Sequence, residues 1–173
     1  YIYSNRLSFG KIRSEENVIW SFAPHDISMI LSLINSNIKN IHTKKTVLYQ
    51  KGIPDMATIY LEFDSGVKGH ISCSWANPIK EQKLVLIGSK ATAIFDDTLQ
   101  WDRKLMVLPQ KINFKKTPPE TLKKEPEFIK IDEKEPLKEE CKYFIDLLNG
   151  KVSGLTDGEE GKKVLEVLEA SDN

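Results

Sequence analysis

The stretch ATIYLEFDSGVKGHISCSW, residues 57–75, holds the two most regular alternations in the chain. Ala57, Ile59, Leu61 and Phe63 alternate with Thr58, Tyr60 and Glu62. After Asp64-Ser65-Gly66 the pattern resumes, with Val67, Gly69, Ile71, Cys73 and Trp75 set against Lys68, His70, Ser72 and Ser74. A period of two on either side of a short Asp/Ser/Gly turn predicts a β-hairpin with one apolar and one polar face. Further strand-like runs lie at residues 1–7, 46–50, 83–87, 91–95 and 105–108. The connections between residues 46 and 108 are too short for crossover helices, so the sheet is expected to be mainly antiparallel.

Helical signals flank this region. Ile27, Ile30, Leu31 and Ile34 recur at helical spacing behind Ala23-Pro24-His25-Asp26. Proline suits a first helical turn, where its missing N–H costs no bond. A helix of about three turns is therefore expected to start near Pro24, with Asp26 as a partner for the positive end of its dipole. Leu137, Cys141, Phe144, Ile145 and Leu148 mark one face of a second helix, from about Pro136 to Asn149, with Gly150 as its stop. Thr156-Asp157-Gly158-Glu159 has the spacing of a capping box and opens a last helix through Val164, Leu165, Val167 and Leu168. Five of the eight prolines fall between residues 109 and 136 amid Lys and Glu, which predicts a long solvated excursion with one short strand at 128–131. The expected fold class is α+β, a mainly antiparallel open-faced sheet with a few helices.

Composition narrows the function. The 173 residues suffice for one domain with a real core, and 40% hydrophobic with 29% charged residues is ordinary globular composition. Lys+Arg 25 against Asp+Glu 25 gives no net charge, which disfavours nucleic acid as a partner. No apolar run approaches the ~20 residues that cross a bilayer, and no secretory leader precedes the first strand, so no membrane partner and a cytoplasmic location are expected. Cys73 and Cys141 form no disulfide framework and no zinc spacing, so no metal is expected. The chain opens on Tyr1-Ile2-Tyr3, already strand-like, and residues 1–173 read as one domain of a longer protein. None of the nine glycines makes G-x-G-x-x-G, and no P-loop is present, so no cofactor-binding residue is expected within this piece.

Among the three histidines, His25 alone stands beside a proline and an acid at an expected helix start, where the dipole favours a neutral, proton-accepting imidazole. The alternative is that it merely closes a helix end. His42 falls in a Lys-rich loop and is expected to be solvated, His70 on the polar face of its strand, and Trp75 in the core or at a sheet edge. Arg6 offers a planar fork suited to an anion such as a carboxylate, and Asn17 can both donate and accept hydrogen bonds. A surface ion pair for Arg6 and a turn for Asn17 are the competing assignments, and Lys80 is a further basic candidate.

Asn5-Arg6, Gly10-Lys11-Ile12-Arg13, Asn17-Val18-Ile19-Trp20 and Ala23-Pro24-His25-Asp26-Ile27 resemble the C-terminal domain of the glucose-fructose oxidoreductase/inositol dehydrogenase (Gfo/Idh/MocA) family. Ser74-Trp75 with Pro78 and Lys80, Leu86-Ile87-Gly88-Ser89-Lys90, Asp96-Asp97 and Thr156-Asp157-Gly158 continue the pattern, with the sugar-nucleotide dehydrogenases acting on UDP-N-acetyl sugars as the nearest branch. The resemblance implies a substrate-binding and oligomerisation domain of an NAD- or NADP-dependent dehydrogenase, with the dinucleotide bound by an absent Rossmann half. It implies a sugar or sugar-nucleotide substrate and a homo-oligomer formed through the open sheet face. His25 matches the histidine of the family's Asp-x-x-x-His motif and is expected to be catalytic; Arg6, Asn17, Ser21 and Lys80 are expected to bind substrate. Ser21 occupies the Asp position and departs from the pattern, since it can hydrogen-bond to the imidazole but carries no charge. That departure keeps open a non-catalytic binding or scaffold member of the same fold. If the motif matches are chance, an unrelated small α+β interaction domain remains. Lys124-Glu125-Pro126 and Lys134-Glu135-Pro136 are not the family's Glu-Lys-Pro.

Overall fold

The computed structural model describes residues 1–154 and 157–173. Nine strands form one sheet: β1 (Ile2–Phe9), β2 (Ile38–Thr46), β3 (Met56–Phe63), β4 (Lys68–Ser74), β5 (Ala76–Ile87), β6 (Ala91–Asp96), β7 (Leu105–Asn113), β8 (Glu120–Lys123) and β9 (Glu127–Ile129). Three helices accompany them: α1 (Val18–Leu33), α2 (Pro136–Leu148) and α3 (Gly158–Asp172). The class is α+β, as the alternation predicted.

The sheet order is β2-β3-β4-β1-β5-β6-β7-β8, with β9 also on the outer edge of β7. Every pairing is antiparallel except that of β1 with β4. The first strand thus fills the centre, beside β5 on its other flank. At the parallel pair Gly69 lies opposite Ile2, and a Cβ on Gly69 would stand 2.8 Å from the Ile2 carbonyl oxygen. A glycine is required there by close approach rather than by backbone angle.

Several expected boundaries are corrected. Thr46–Gln50 is not a strand: the strand is the upstream β2, polar on much of both faces and ending at Thr46, and the bridge from Gln50 to Ile53 closes a turn at residues 51–52. His42 therefore sits in a strand, opposite Tyr60, rather than in a loop. The Pro-rich excursion carries β8 as well as the expected short strand β9. The hairpin β3–β4 and its turn match the prediction, with Gly66 at φ 82°.

The largest correction is α1. It starts six residues before Pro24, because Asn17 caps it: its side-chain oxygen accepts from the backbone N–H of Ile19 at 2.9 Å and of Trp20 at 3.4 Å. Pro24 lies inside the helix and withholds the N–H that Trp20's carbonyl would otherwise receive. The buried positions Ile19, Ala23, Asp26, Ile27 and Ile30 form the core-facing stripe. Asp26 is therefore in the third turn, beyond the reach of the dipole, and does not serve as its partner.

α1 lies over β1, β3 and β4 on one face of the sheet, where Ile2, Ala57, Ile59, Leu61, Phe63, Ile71 and Cys73 meet it. α3 packs beside α1 with Val164, Val167 and Leu168 buried. Its N-cap is Asp157, which accepts from Glu159 and Glu160 N–H; Thr156 of the expected capping box lies outside the described residues. Asp172 at the far end of α3 receives Trp20 Nε1 at 2.8 Å and Asn17 Nδ2 at 2.8 Å, tying the two helices together. Trp75 is fully buried and donates through Nε1 to Asp55 at 2.6 Å. Burial alone would push the Asp55 carboxyl up, but this bond and two backbone N–H donors, Leu48 and Tyr49, outweigh it and hold it below its usual value.

Candidate functional site

Arg6 is the second-last inward-pointing residue of β1, in line with Ile2 and Ser4 toward α1. Its Nε donates to Oδ2 of Asp26, and Oδ1 of the same carboxylate accepts from the Ser4 hydroxyl. The Asp26 side chain is 2% exposed and that of Arg6 19%. The pair is thus neither the surface ion pair nor the dipole contact that the sequence suggested. An acid inside an apolar helical stripe, with arginine two residues after an inward serine on the strand, was the signal available in the sequence. The effect is positional: Asp26 holds the guanidinium by Nε, and among the described residues the two terminal nitrogens have no partner. A fork anchored at one corner keeps its outer edge free for a planar anion.

His25 directly precedes Asp26 but is exposed, about 100° around the helix. It lies mid-helix, so the expected helix-end effect on its imidazole does not apply. Ser21 is one turn earlier on the same side of α1, half-buried, and no hydrogen bond joins it to His25 among the described residues. Lys80 is exposed on β5, two residues before Gln82, which lies opposite Arg6. Asn17 stands two turns before His25, roughly 12 Å along the helix axis, with its oxygen used in the cap and its amide given to Asp172. The cleft of about 500 Å³ beside it is lined by Glu15, Glu16 and Asp172, an acidic surround unsuited to a phosphate.

Dinucleotide pyrophosphates are held at helix N-termini by free N–H groups. Here the start of α1 is closed by Asn17 beside that acidic cleft, α3 begins with Glu159 and Glu160, and α2 begins at Pro136 behind Glu135. These three termini do not fit a nicotinamide dinucleotide. Among the described residues no group of three or more His, Cys, Asp or Glu is placed to hold a metal ion. No helix among them is long and apolar enough to cross a membrane.

The other face of the sheet carries a continuous row that sequence reading missed. Cross-strand partners run His42, Tyr60, His70, Tyr3, Val85, Ile94, Met106, Phe128 across eight strands. Tyr3 stacks on His70 with centroids 5.3 Å apart, and Tyr1 OH lies 2.6 Å from His70 Nδ1. Burial pushes the imidazole's pKa below its ordinary value. The hairpin end of this face is polar as expected, while its other half is apolar.

Solved structures share this fold. UDP-N-acetylglucosamine 3-dehydrogenase GnnA from Acidithiobacillus ferrooxidans superposes with TM-score 0.79 at 17% identity, covering 99% of this chain and 52% of that one. An NAD-binding protein from Listeria innocua matches with TM-score 0.72 at 19% identity, over 97% of this chain and 50% of its own. The WlbA dehydrogenase from Bordetella pertussis, solved with NADH and UDP-GlcNAcA, gives TM-score 0.66 at 16% identity over 98% and 50%. The chain spans about half the length of these structures, and at such identities the likeness is one of fold. No curated protein sequence matches the chain. The profile of the GFO/IDH/MocA C-terminal domain matches residues 6–94, just over half of the chain, so the protein belongs to the GFO/IDH/MocA C-terminal domain family.

Proposed function

We propose that residues 1–173 are the substrate-binding and oligomerisation domain of a cytoplasmic NAD- or NADP-dependent dehydrogenase that oxidises a hydroxyl of a sugar or sugar nucleotide. The observation that carries this reading is the Arg6 fork, anchored by buried Asp26 beside exposed His25 in a domain of this family. Proteins that share the fold are a UDP-N-acetylglucosamine 3-dehydrogenase and a dehydrogenase solved with NADH and UDP-GlcNAcA, which supports the sugar-nucleotide class.

In this reading Arg6, together with Lys80, receives the anionic part of the substrate, and His25 accepts the proton of the hydroxyl being oxidised. The hydride acceptor belongs to the other half of the protein, because the helix termini here do not fit it. The mixed apolar and aromatic row on the open face supports self-association through that face.

The test is kinetic, in the full-length protein with a UDP-N-acetyl sugar and NAD. His25→Ala should slow the chemical step about 10²–10⁴-fold with much less effect on substrate affinity. Turnover within a few-fold of wild type would remove His25 from the chemistry. A second reading, a non-catalytic binding member, is favoured by Ser21, which supplies no charge and no hydrogen bond to His25. Ser21→Asp separates the two: a raised rate or a shifted pH profile supports catalysis, and absence of turnover in both forms supports the binding member.

A further inference from the structure

We infer that the apolar face of α2 is the docking surface for the domain joined to this one in the same chain. This rests on the proposed reading, in which the protein has a second half. Leu137, Phe144, Ile145 and Leu148 are 68%, 58%, 56% and 72% exposed, and no residue of α2 is buried. Cys141 lies within the same stripe and is exposed too. The ends of this helix are well determined. Pro136 opens it, and Gly150 at φ 66° closes it with Gly150 N–H bonded to Leu147 and Lys151 N–H to Asp146, the paired bonds of a Schellman cap. A 13-residue amphipathic helix is marginal in water without a surface for its apolar face. α1 and α3 each bury theirs, and α2 does not.

The occupant is a tethered domain rather than a second copy. Structures of this fold extend to about twice this length, so an equal mass of protein adjoins the fold in them. A stable dimer needs about 800 Å² from each partner and some 20–30 residues a side. One five-residue stripe falls far short. A domain on the same chain needs much less, since its effective concentration is already about millimolar. A second copy has the larger open face of the sheet available.

Cys141 provides the probe. The only other thiol of this domain, Cys73, is 1% exposed and its pKa is pushed up to about 12 by burial and by Asp26. The full-length protein is treated with iodoacetamide at neutral pH, and modification of Cys141 is followed by peptide mass spectrometry, native and in urea. Docking predicts native labelling roughly tenfold or more slower than in urea, as a closed local site requires. Phe144→Asp or Leu148→Gln should bring the native rate to within about twofold of the unfolded one. Labelling of native wild type at the unfolded rate overturns the inference. So does protection that vanishes on dilution, which would mean that a second copy covers the helix. NADH binding, measured on the same sample, keeps the two proposals apart. Protected Cys141 without NADH binding refutes the dehydrogenase reading alone, and bound NADH with freely labelled Cys141 refutes the docking alone.

Discussion

Replacing Arg6 by methionine keeps the length of the side chain and removes its cation from Asp26. The carboxylate, 2% exposed at its side chain, would retain only the Ser4 hydroxyl. Breaking a buried pair from one side costs about 3–5 kcal/mol. The Arg6 side chain is 19% exposed, so solvent screening and water entry move the figure to the lower end, about 3 kcal/mol. For a domain of this size each kcal/mol displaces Tm by about 2–4 °C, which gives a fall of roughly 6–12 °C. Asp26→Asn keeps the shape and exchanges a charge-assisted bond for a neutral one, at about 1–2 kcal/mol. The pair Arg6→Met/Asp26→Asn should lose less than the two single losses combined, because the orphaned charge is gone. Urea melts followed by circular dichroism measure all three. A loss under about 0.5 kcal/mol for Arg6→Met would refute the account of Asp26 as a buried carboxylate that depends on Arg6. Arg6 would then be an ordinary surface cation.

Other outcomes follow from single contacts. Gly69→Ala places a methyl 2.8 Å from the Ile2 carbonyl oxygen and should cost about 1–3 kcal/mol by pushing β1 from β4, measured by chemical denaturation. Trp75→Phe leaves Oδ1 of fully buried Asp55 without its donor while keeping the ring, and should cost about 1–3 kcal/mol in the same assay. For His70 the sign is set by burial, which lowers the folded pKa below the unfolded value near 6.5. The unfolded chain then takes up the proton first, so stability falls as pH drops from about 6.5 toward the folded value. His70→Asn should flatten that part of the stability profile, and an unchanged slope would show that His70 does not titrate differently in the two states.

The hairpin and the fold class were legible because β3 and β4 bury one face only, so polarity alternates cleanly along residues 57–75. The start of α1 was also written in the sequence, as Asn17 before an apolar run, but Pro24 offered a competing start that the burial of Ile19 and Ala23 overrides. β2 was hidden because it lies at a sheet edge, where little of either face is buried and no alternation forms. The placement of β1 between β4 and β5 depends on pairings far apart in sequence, which no local pattern encodes. At the candidate site, the family resemblance pointed to His25, Arg6, Asn17, Ser21 and Lys80, whereas the role of Asp26 needed the packing of α1 on β1 to be known. Asn17 has the side chain of a binding residue, but its donors and acceptor are drawn into the cap and Asp172.

The central position of β1 has a consequence during synthesis. Ile2 must meet Gly69 on one side and Leu86 on the other, so β1 can pair with β4 only after about 67 further residues have been added and with β5 only after about 84. At about 5–20 residues per second that is a delay of roughly 3–17 s. Throughout it Ile2, Leu7 and Phe9 emerge with both edges of their backbone open. Until β1 enters, β2–β3–β4 and β5–β6–β7 are two separate antiparallel pieces, and the arrival of β1 joins them.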